Sequence, residues 1–563
     1  LHLATFHALA GGWRMYRGGL GRTSVTAEKL TFPLAATWVY EPRHSPSPAW
    51  PEPGKELHRM DFDYAFHPVS ADGFVYFGSS SDDTVRALEA DTGKEVWRFT
   101  TGGPVRFAPA LANGKVYVAS DDGHVTCLDA RTGALGWRFR AAPRDGLILG
   151  NGRMISRWPL RSGVLVEDGV VYVTAGMWPT RGIFVYALEA ETGKQLWSND
   201  GTGGTYINLP HVVSSGFSGV APQGYLALSG DVLLVPTGRS VPAAFDRHTG
   251  RLLHYTPYTH GHTKHGAASI TAVGDLYFHR EESSLNLVPE HVGEAQPCSR
   301  NHMTAYELAS GKISIRLLGV YDLLASDDVL YAVGNNKLVA LDLAWLRNAN
   351  KPYYKCLDYP AGHEAVRWTT PQPRVYSLAL TGRALVIGGA DTIRALGTET
   401  GRELWSATVE GQVRGLAVAD GRLIAATDKG TLTCFEHAAE PSGPASRNRE
   451  RSGEPSGIAE QYTAAAARIL EATGVARGYA LIVGEGDTRL AAALAAQTDL
   501  HVVVAFSPGA DPARERERLL AAGLLGGRVV VHALDGQASL PFPHYFANLV
   551  IVTGGVENTP GEG

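Results

Sequence analysis

Apolar and polar residues alternate in short runs along most of this chain, and tight turns separate the runs. The stretch Val85–Phe99 sets the pattern. Val85, Ala87 and Leu88 lie on one short strand, Val96, Trp97 and Phe99 on the next, and Asp91-Thr92-Gly93-Lys94 turns between them. Asp and Thr side chains bond back to the backbone in such a turn, and Gly93 takes a positive φ at no steric cost. The turn recurs at Gly133, Gly193, Gly250, Gly311 and Gly401, and Val339-Ala-Leu-Asp342 is a copy without its Gly. Trp97, Trp137, Trp197 and Trp405 follow their turns, and Tyr255 follows Gly250. A second hairpin precedes each copy, entered through Asp-Gly or a relative, as in Asp72-Gly-Phe-Val-Tyr-Phe77 and Asp168-Gly-Val-Val-Tyr-Val173. Eight such pairs of hairpins run from Asp72 to Phe435. Four-stranded units repeated about every 40 to 60 residues predict a mainly β chain folded as an eight-bladed β-propeller. The four tryptophans are expected to pack against the neighbouring blade.

The last copy, Asp420 to Phe435, lacks a fourth strand, and Pro33–Tyr40 is an unassigned strand pattern. Pairing the two closes the ring and leaves no exposed sheet edge. This divides the chain into an irregular arm over 1–32, a propeller over 33–436, a linker over 437–457 and a second domain over 458–563. The linker is Ser, Pro, Gly and charge. Beyond it the period changes. Helical spacing at Ile458–Thr473, Arg489–Gln497 and Asp511–Ala522 alternates with apolar strands at Tyr479–Val483, His501–Phe506, Arg528–His532 and Asn548–Val552. That order predicts a smaller α/β, Rossmann-like domain, partial or degenerate.

Trp13-Arg-Met-Tyr-Arg-Gly18, with Arg22-Thr23 behind it, resembles the opening of PQQ-like propeller proteins, and the A-L-x-A-x-T-G-K-x-x-W repeats resemble the same family over 73–435. Such quinoprotein-type repeats also occur in bacterial outer-membrane assembly lipoproteins. Segments such as Ser156-Arg-Trp-Pro-Leu-Arg161 and Val235–Pro242 resemble large planctomycete-type proteins that fuse a propeller to a methyltransferase-like domain. The resemblance implies an extracytoplasmic, periplasmic or secreted protein. No signal-peptide pattern opens this chain, and no run of eighteen apolar residues crosses a membrane. The net charge of −5 gives no reason to expect a nucleic-acid partner.

Candidate chemistry lies in three places. Aligning the copies on their Asp-Gly turns puts Arg106, Arg161 and Arg374 in one register, each eight residues before its turn glycine. Converging at a channel mouth, they bind a small anion; paired with a neighbouring blade's acid, they are structural. His260, His262 and His265 lie within six residues and are candidate metal ligands, against the plainer reading of a solvated loop. Gly484-Glu-Gly-Asp-Thr488, between a strand and a helix, resembles the loop of class I S-adenosylmethionine (SAM) methyltransferases. The resemblance implies SAM contacts at Gly484, Gly486, Asp487 and Asp535. Thr488 stands where a third Gly belongs, with a positive φ that would be costly for it, and Phe506 where the ribose-binding acid belongs.

Quinone dehydrogenases of the PQQ class use an Asp base, Ca²⁺ ligands and a vicinal Cys pair. Cys127, Cys298, Cys356 and Cys434 include no such pair, so PQQ is not the expected cofactor. Cys127 and Cys434 share a repeat position and read as core. The expectation is a binding or scaffold protein for a protein partner or small anion, carrying an inactive methyltransferase-like domain. The alternatives are a SAM-dependent methyltransferase with a propeller targeting module and a PQQ-dependent oxidoreductase.

Overall fold

A computed structural model describes residues 11–553 apart from 51–59, 209–213, 239, 257–262, 284–300, 327, 349–361, 373, 440–442, 451–459, 485–486, 508–511 and 535–539. The period-2 pattern folds into four-stranded antiparallel sheets in chain order. We number them one to eight: 69–100, 110–140, 165–199, 227–254, 263–318, 320–371, 377–408, and a last one of 413–437 with the N-terminal strand Leu34–Glu41. Leu34–Glu41 pairs antiparallel with Leu432–His437. Sheets seven and eight share one long strand, Glu403–Ala419, whose pairing shifts register between Val413 and Gly415. Innermost strands neighbour one another from sheet one to three and from sheet four to eight, Ser162–Gly163 pairs with Gly224–Tyr225 between sheets three and four, and the innermost strand of sheet eight touches that of sheet one, closing a circle.

Most sheets are fastened to the next by a side chain of the outer strand. Trp97 Nε1 donates to the Ala130 carbonyl in the turn of sheet two, at 2.9 Å. Trp137 reaches Ala190, Trp197 reaches Arg247, Trp368 reaches Thr398, and Trp405 reaches Leu34. Trp38, fully buried, donates to Ala90 and fastens sheet eight to sheet one. Beneath each indole lies the next turn's glycine, except at Trp405. A Cβ on Gly133 (φ +70°) would come within 2.7 Å of the Trp97 ring. The glycine therefore supplies both the turn geometry and the flat seat. Trp97 and Trp405 are 8% exposed, Trp137 and Trp197 half-buried. At sheet four the fastening residue is His254, whose ring bonds the Leu308 carbonyl at 2.9 Å. Tyr255, expected there, instead bonds Ser240 and Gly219.

The expected linker is in part ordered. Ser446–Arg449 adds a parallel strand to Leu34–Glu41. Backbone pairing needs no apolar side chain, so a polar stretch can take the edge. Asn448 bonds the Thr92 carbonyl, and Arg447 and Arg449 pair with Glu41.

Residues 477–552 form four parallel strands in the spatial order Val529–Ala533, Asp499–Phe506, Arg477–Gly484, Leu549–Val552. Helices Glu460–Thr473, Arg489–Gln497 and Ala513–Ala521 accompany them. Helix side chains bury one face, around Leu494, Val502, Val504 and Leu519. The other face is not covered by helices alone in the usual way. A hairpin of Leu147–Gly150 and Arg153–Ser156, inserted between sheets two and three, packs Met154 against Leu481, Val503 and Val530. The Leu147 amide bonds the Pro541 carbonyl at 2.7 Å.

Candidate functional site

The N-terminal arm is a strap across the centre of the circle. Trp13 exchanges backbone hydrogen bonds with Ser70 in sheet one, and its neighbour Arg14 accepts from Leu111 in sheet two. Leu20 accepts from Leu228, Gly21 from Ala272 and Ser24 from Leu380, in sheets four, five and seven. Arg17 reaches sheet six, donating to the Leu323 carbonyl and pairing with Asp322. Gly21 passes so close that a Cβ would lie 2.3 Å from the Ala272 carbonyl oxygen. Arg17, Arg22 and Ser24 all have φ between +56° and +59°, a conformation that costs of order 1–3 kcal/mol each and is held only by surrounding contacts. Arg22 supplies some of them. It is 1% exposed and donates to Leu226, Tyr16 and Gly19 carbonyls. Burial pulls its guanidinium down to about 10.

All these contacts fall near the strand ends that lead into the Asp-Gly turns. The opposite ends line a cavity of about 560 Å³, so the centre is a blind well with the strap as its floor. Tyr16 of the floor stacks on Tyr225 at 3.5 Å, and His67 meets Tyr16 edge-on. Burial lowers His67 to about 4, so it is neutral at physiological pH. Arg374 and Arg414 stand on the wall. The Arg414 guanidinium lies between the rings of Tyr64 and Tyr376, at 4.8 and 4.9 Å, and bonds Gln412. Described lining residues carry four arginines (17, 280, 374, 414) against Asp61 and Asp322. A low-dielectric well with excess guanidinium and aromatic faces suits a planar anion.

Of the three register arginines, only Arg374 lines the well. Arg106 is held by Asp121 at 2.6 Å and Asp63 at 2.7 Å, and Arg161 lies 2.8 Å from Asp121, all fully buried. These two follow the structural alternative. Acids from other segments hold them away from the well. Arg414 was missed because it lies seven residues before its turn glycine, Gly421. The register shift at Val413–Gly415 brings it to the well.

His260 and His262 lie outside the described residues. His265 falls in the innermost strand of sheet five, opposite Glu281, rather than in a loop. Among the described residues no group of three or more His, Cys, Asp or Glu side chains is placed to hold a metal. Cys127 and Cys434 are buried in separate sheets, as repeat-core positions. Carboxylate and amide oxygen donors lining the well are those of Asp61, Asn335, Asn336 and Asp322, the last of which pairs with Arg17.

In the parallel sheet, Gly486, Asp511 and Asp535 lie outside the described residues. Gly484 is a glycine for packing. A Cβ there would meet the Thr553 carbonyl at 2.2 Å. Thr488 corrects the expectation of a positive φ, for its φ is −86°. It is buried and donates to Glu515 at 2.5 Å. Asp487 accepts from Tyr462 at 2.6 Å and from Arg489 backbone and side chain at 2.9 Å. Burial opposes its ionisation, yet these bonds hold it down to about 2. Phe506 is 1% exposed in the helix-side core.

Comparison with known proteins places this architecture. A family model described as outer membrane protein assembly factor BamB matches residues 50–157, 122–344 and 359–539. The chain belongs to this family. Among solved structures, the quinohemoprotein alcohol dehydrogenase of Comamonas testosteroni is similar, with a TM-score of 0.52 and 14% identity over 82% of this chain and 85% of that one. That likeness shows a shared β-propeller fold. Among curated proteins, the dehydrogenase subunit of a quinone alcohol dehydrogenase from Acetobacter aceti is 32% identical over 143 residues. The serine/threonine-protein kinase AfsK of Streptomyces griseus is 34% identical over 137. Each stretch covers 23% of this chain, and 18% and 15% of those relatives respectively.

Proposed function

We propose that this BamB-type chain is a binding protein acting outside the cytoplasm, whose eight sheets are the blades of one propeller and whose central well takes a small planar anion. The single observation that carries this reading is the pair Arg374 and Arg414 above a strapped floor. The arm (1–32), the propeller (33–436) and the C-terminal unit (458–563) are its parts, and the C-terminal unit is a degenerate Rossmann-like layer that does not methylate. Asp487 and Thr488 are bonded to their own neighbours, and Phe506 accepts no hydrogen bond. Losing a bond to a charged acceptor forfeits about 1.5–3 kcal/mol of ribose recognition.

The test is calorimetric titration with benzene-1,3,5-tricarboxylate, PQQ with and without Ca²⁺, and SAM. The reading expects carboxylate binding that weakens about tenfold in Arg374→Ala, and no SAM binding. A second reading, a quinone-dependent dehydrogenase, is favoured by the matched stretches of the alcohol dehydrogenases. Ca²⁺-dependent uptake of PQQ together with dye reduction by an alcohol would select it. SAM binding would restore the methyltransferase alternative.

A further inference from the structure

A second cavity, of about 190 Å³, lies where sheet two meets the parallel sheet. One wall is the carboxyl end of Val529–Ala533 and Pro512, the residue that precedes helix Ala513–Ala521. Ligands of open α/β sheets bind at such strand ends, and anions favour the start of a helix. The other wall is the outer strand of sheet two and the turn after it. Arg138, Arg140, Arg144 and Arg516 converge here from both walls. Two acids face them. Asp122 takes Arg138 at 2.7 Å, and Asp145 takes Arg140 at 3.2 Å. Four positive charges therefore face two negative ones among the described lining residues. The Arg516 guanidinium is fixed by a 2.8 Å bond to the Val531 carbonyl, and Arg144 lies over the Trp158 ring. A separate observation points the same way: His532, nine-tenths buried, lines this cavity, and its Nε2 has no hydrogen-bond partner.

We propose that this cavity binds a phosphate dianion, either free or as the phosphate of a small nucleotide. Neither the well nor its ligand enters this inference, because the two cavities share no lining residue. Fixed guanidinium forks suit the oxygens of a dianion.

The experiment is calorimetric titration of the whole chain with inorganic phosphate and, separately, with AMP. Wild type, Arg144→Ala, Arg516→Gln and Arg374→Ala are compared, with thermal unfolding of each as a control for folding. Wild type should bind one equivalent of at least one probe. Arg144→Ala, at an exposed position, should weaken it about tenfold with an unchanged melting temperature. Arg374→Ala, in the well, should leave it unaltered. AMP binding tighter than phosphate would assign a nucleotide, and equal affinities would assign the phosphate group alone. No saturable binding of either probe up to about 10 mM, a free energy under about 3 kcal/mol, would overturn the proposal. So would binding sensitive to Arg374→Ala and indifferent to Arg144→Ala.

Discussion

Two arcs of the propeller solve the same joining problem differently. From sheet six through eight and on to sheet four, six joints use a tryptophan that donates to the next sheet. Around sheet five the device fades. At the joint into it, His254 holds the position four residues after the turn glycine, with Gly311 beneath its ring. At the joint out of it, that position is Ile315, which has nothing to donate. Sheet six has no Gly turn to receive it either. In its place the helix Leu343–Asn348 buries Leu343 and Leu346 among Ile315, Leu317 and their neighbours. One arc is fastened by directional bonds and stacked rings, the other by undirected apolar packing. Sheet six lacks the turn and the residue that faces it lacks the indole, whereas Trp405 keeps its bond to Leu34 without a glycine beneath it.

The largest test breaks the best-made joint. Trp38 is fully buried and closes the last sheet on the first. Trp38→Ala should cost about 3–5 kcal/mol, read as a fall in the denaturant midpoint. Ile315→Ala should cost less, since a smaller side chain is removed. Equal losses would show that the indole adds nothing beyond its volume.

A glycine tests the same joint from the other side. Gly133→Ala would need φ near +70° and a Cβ 2.7 Å from the Trp97 ring. Left-handed backbone costs about 1–2 kcal/mol and overpacking about 1–3 kcal/mol. In a double-mutant cycle the overpacking share should disappear when Trp97→Ala is already present, while the backbone share remains.

These joints were legible because each is local and repeated. A turn glycine and an indole four residues later carry both halves of the bond. His254 and Ile315 sit at that same spacing, whereas the aromatic Tyr255 lies one residue beyond it. The well was legible only in part. Arg374 has the right register, whereas Arg414 is one residue out of step and needs the irregularity at Val413–Gly415 to face inward. Arg106 could not be assigned from its register, because Asp63, 43 residues away in sequence, holds it. The strap left no periodic trace, as its bonds are backbone contacts to strands up to hundreds of residues away. The hairpin Leu147–Ser156 was unread for a related reason. Its partner is a sheet more than 300 residues later.

Acid stresses the protein through the buried His67 and His532. His67 packs against Gly415 and the strap beside sheets eight and one, and His532 faces sheet two. Burial lowers them from 6.5 to about 4 and about 3 respectively. The unfolded chain therefore binds more protons below pH 6.5, and stability falls as pH drops from there toward those folded values. Between pH 7 and pH 5 each histidine should remove about 2 kcal/mol. His67→Gln should reduce the pH slope of the unfolding free energy by one histidine's share. An unchanged slope would show that His67 titrates alike in the folded and unfolded chain.

The smallest effect separates the arcs by sign. In sheets one and two a tyrosine two strands inward shares the acceptor of the indole. Tyr76 donates to Ala130 and Tyr117 to Ala190, each at 3.1 Å, beside Trp97 and Trp137. Sheet five keeps the tyrosine, Tyr277, but faces no such turn. Its hydroxyl is buried without a partner. Removing the Tyr117 hydroxyl gives up the net worth of one bond, since Trp137 still donates to the Ala190 carbonyl, whereas removing a group that has no partner relieves a desolvation cost. Tyr117→Phe should therefore lose about 1 kcal/mol, and Tyr277→Phe should be neutral or stabilising by a similar amount. Both keep the ring and its packing, so volume cannot account for a difference. If Tyr277→Phe loses as much as Tyr117→Phe, the hydroxyl has an acceptor in solution, and the joint between sheets five and six is bonded like the rest.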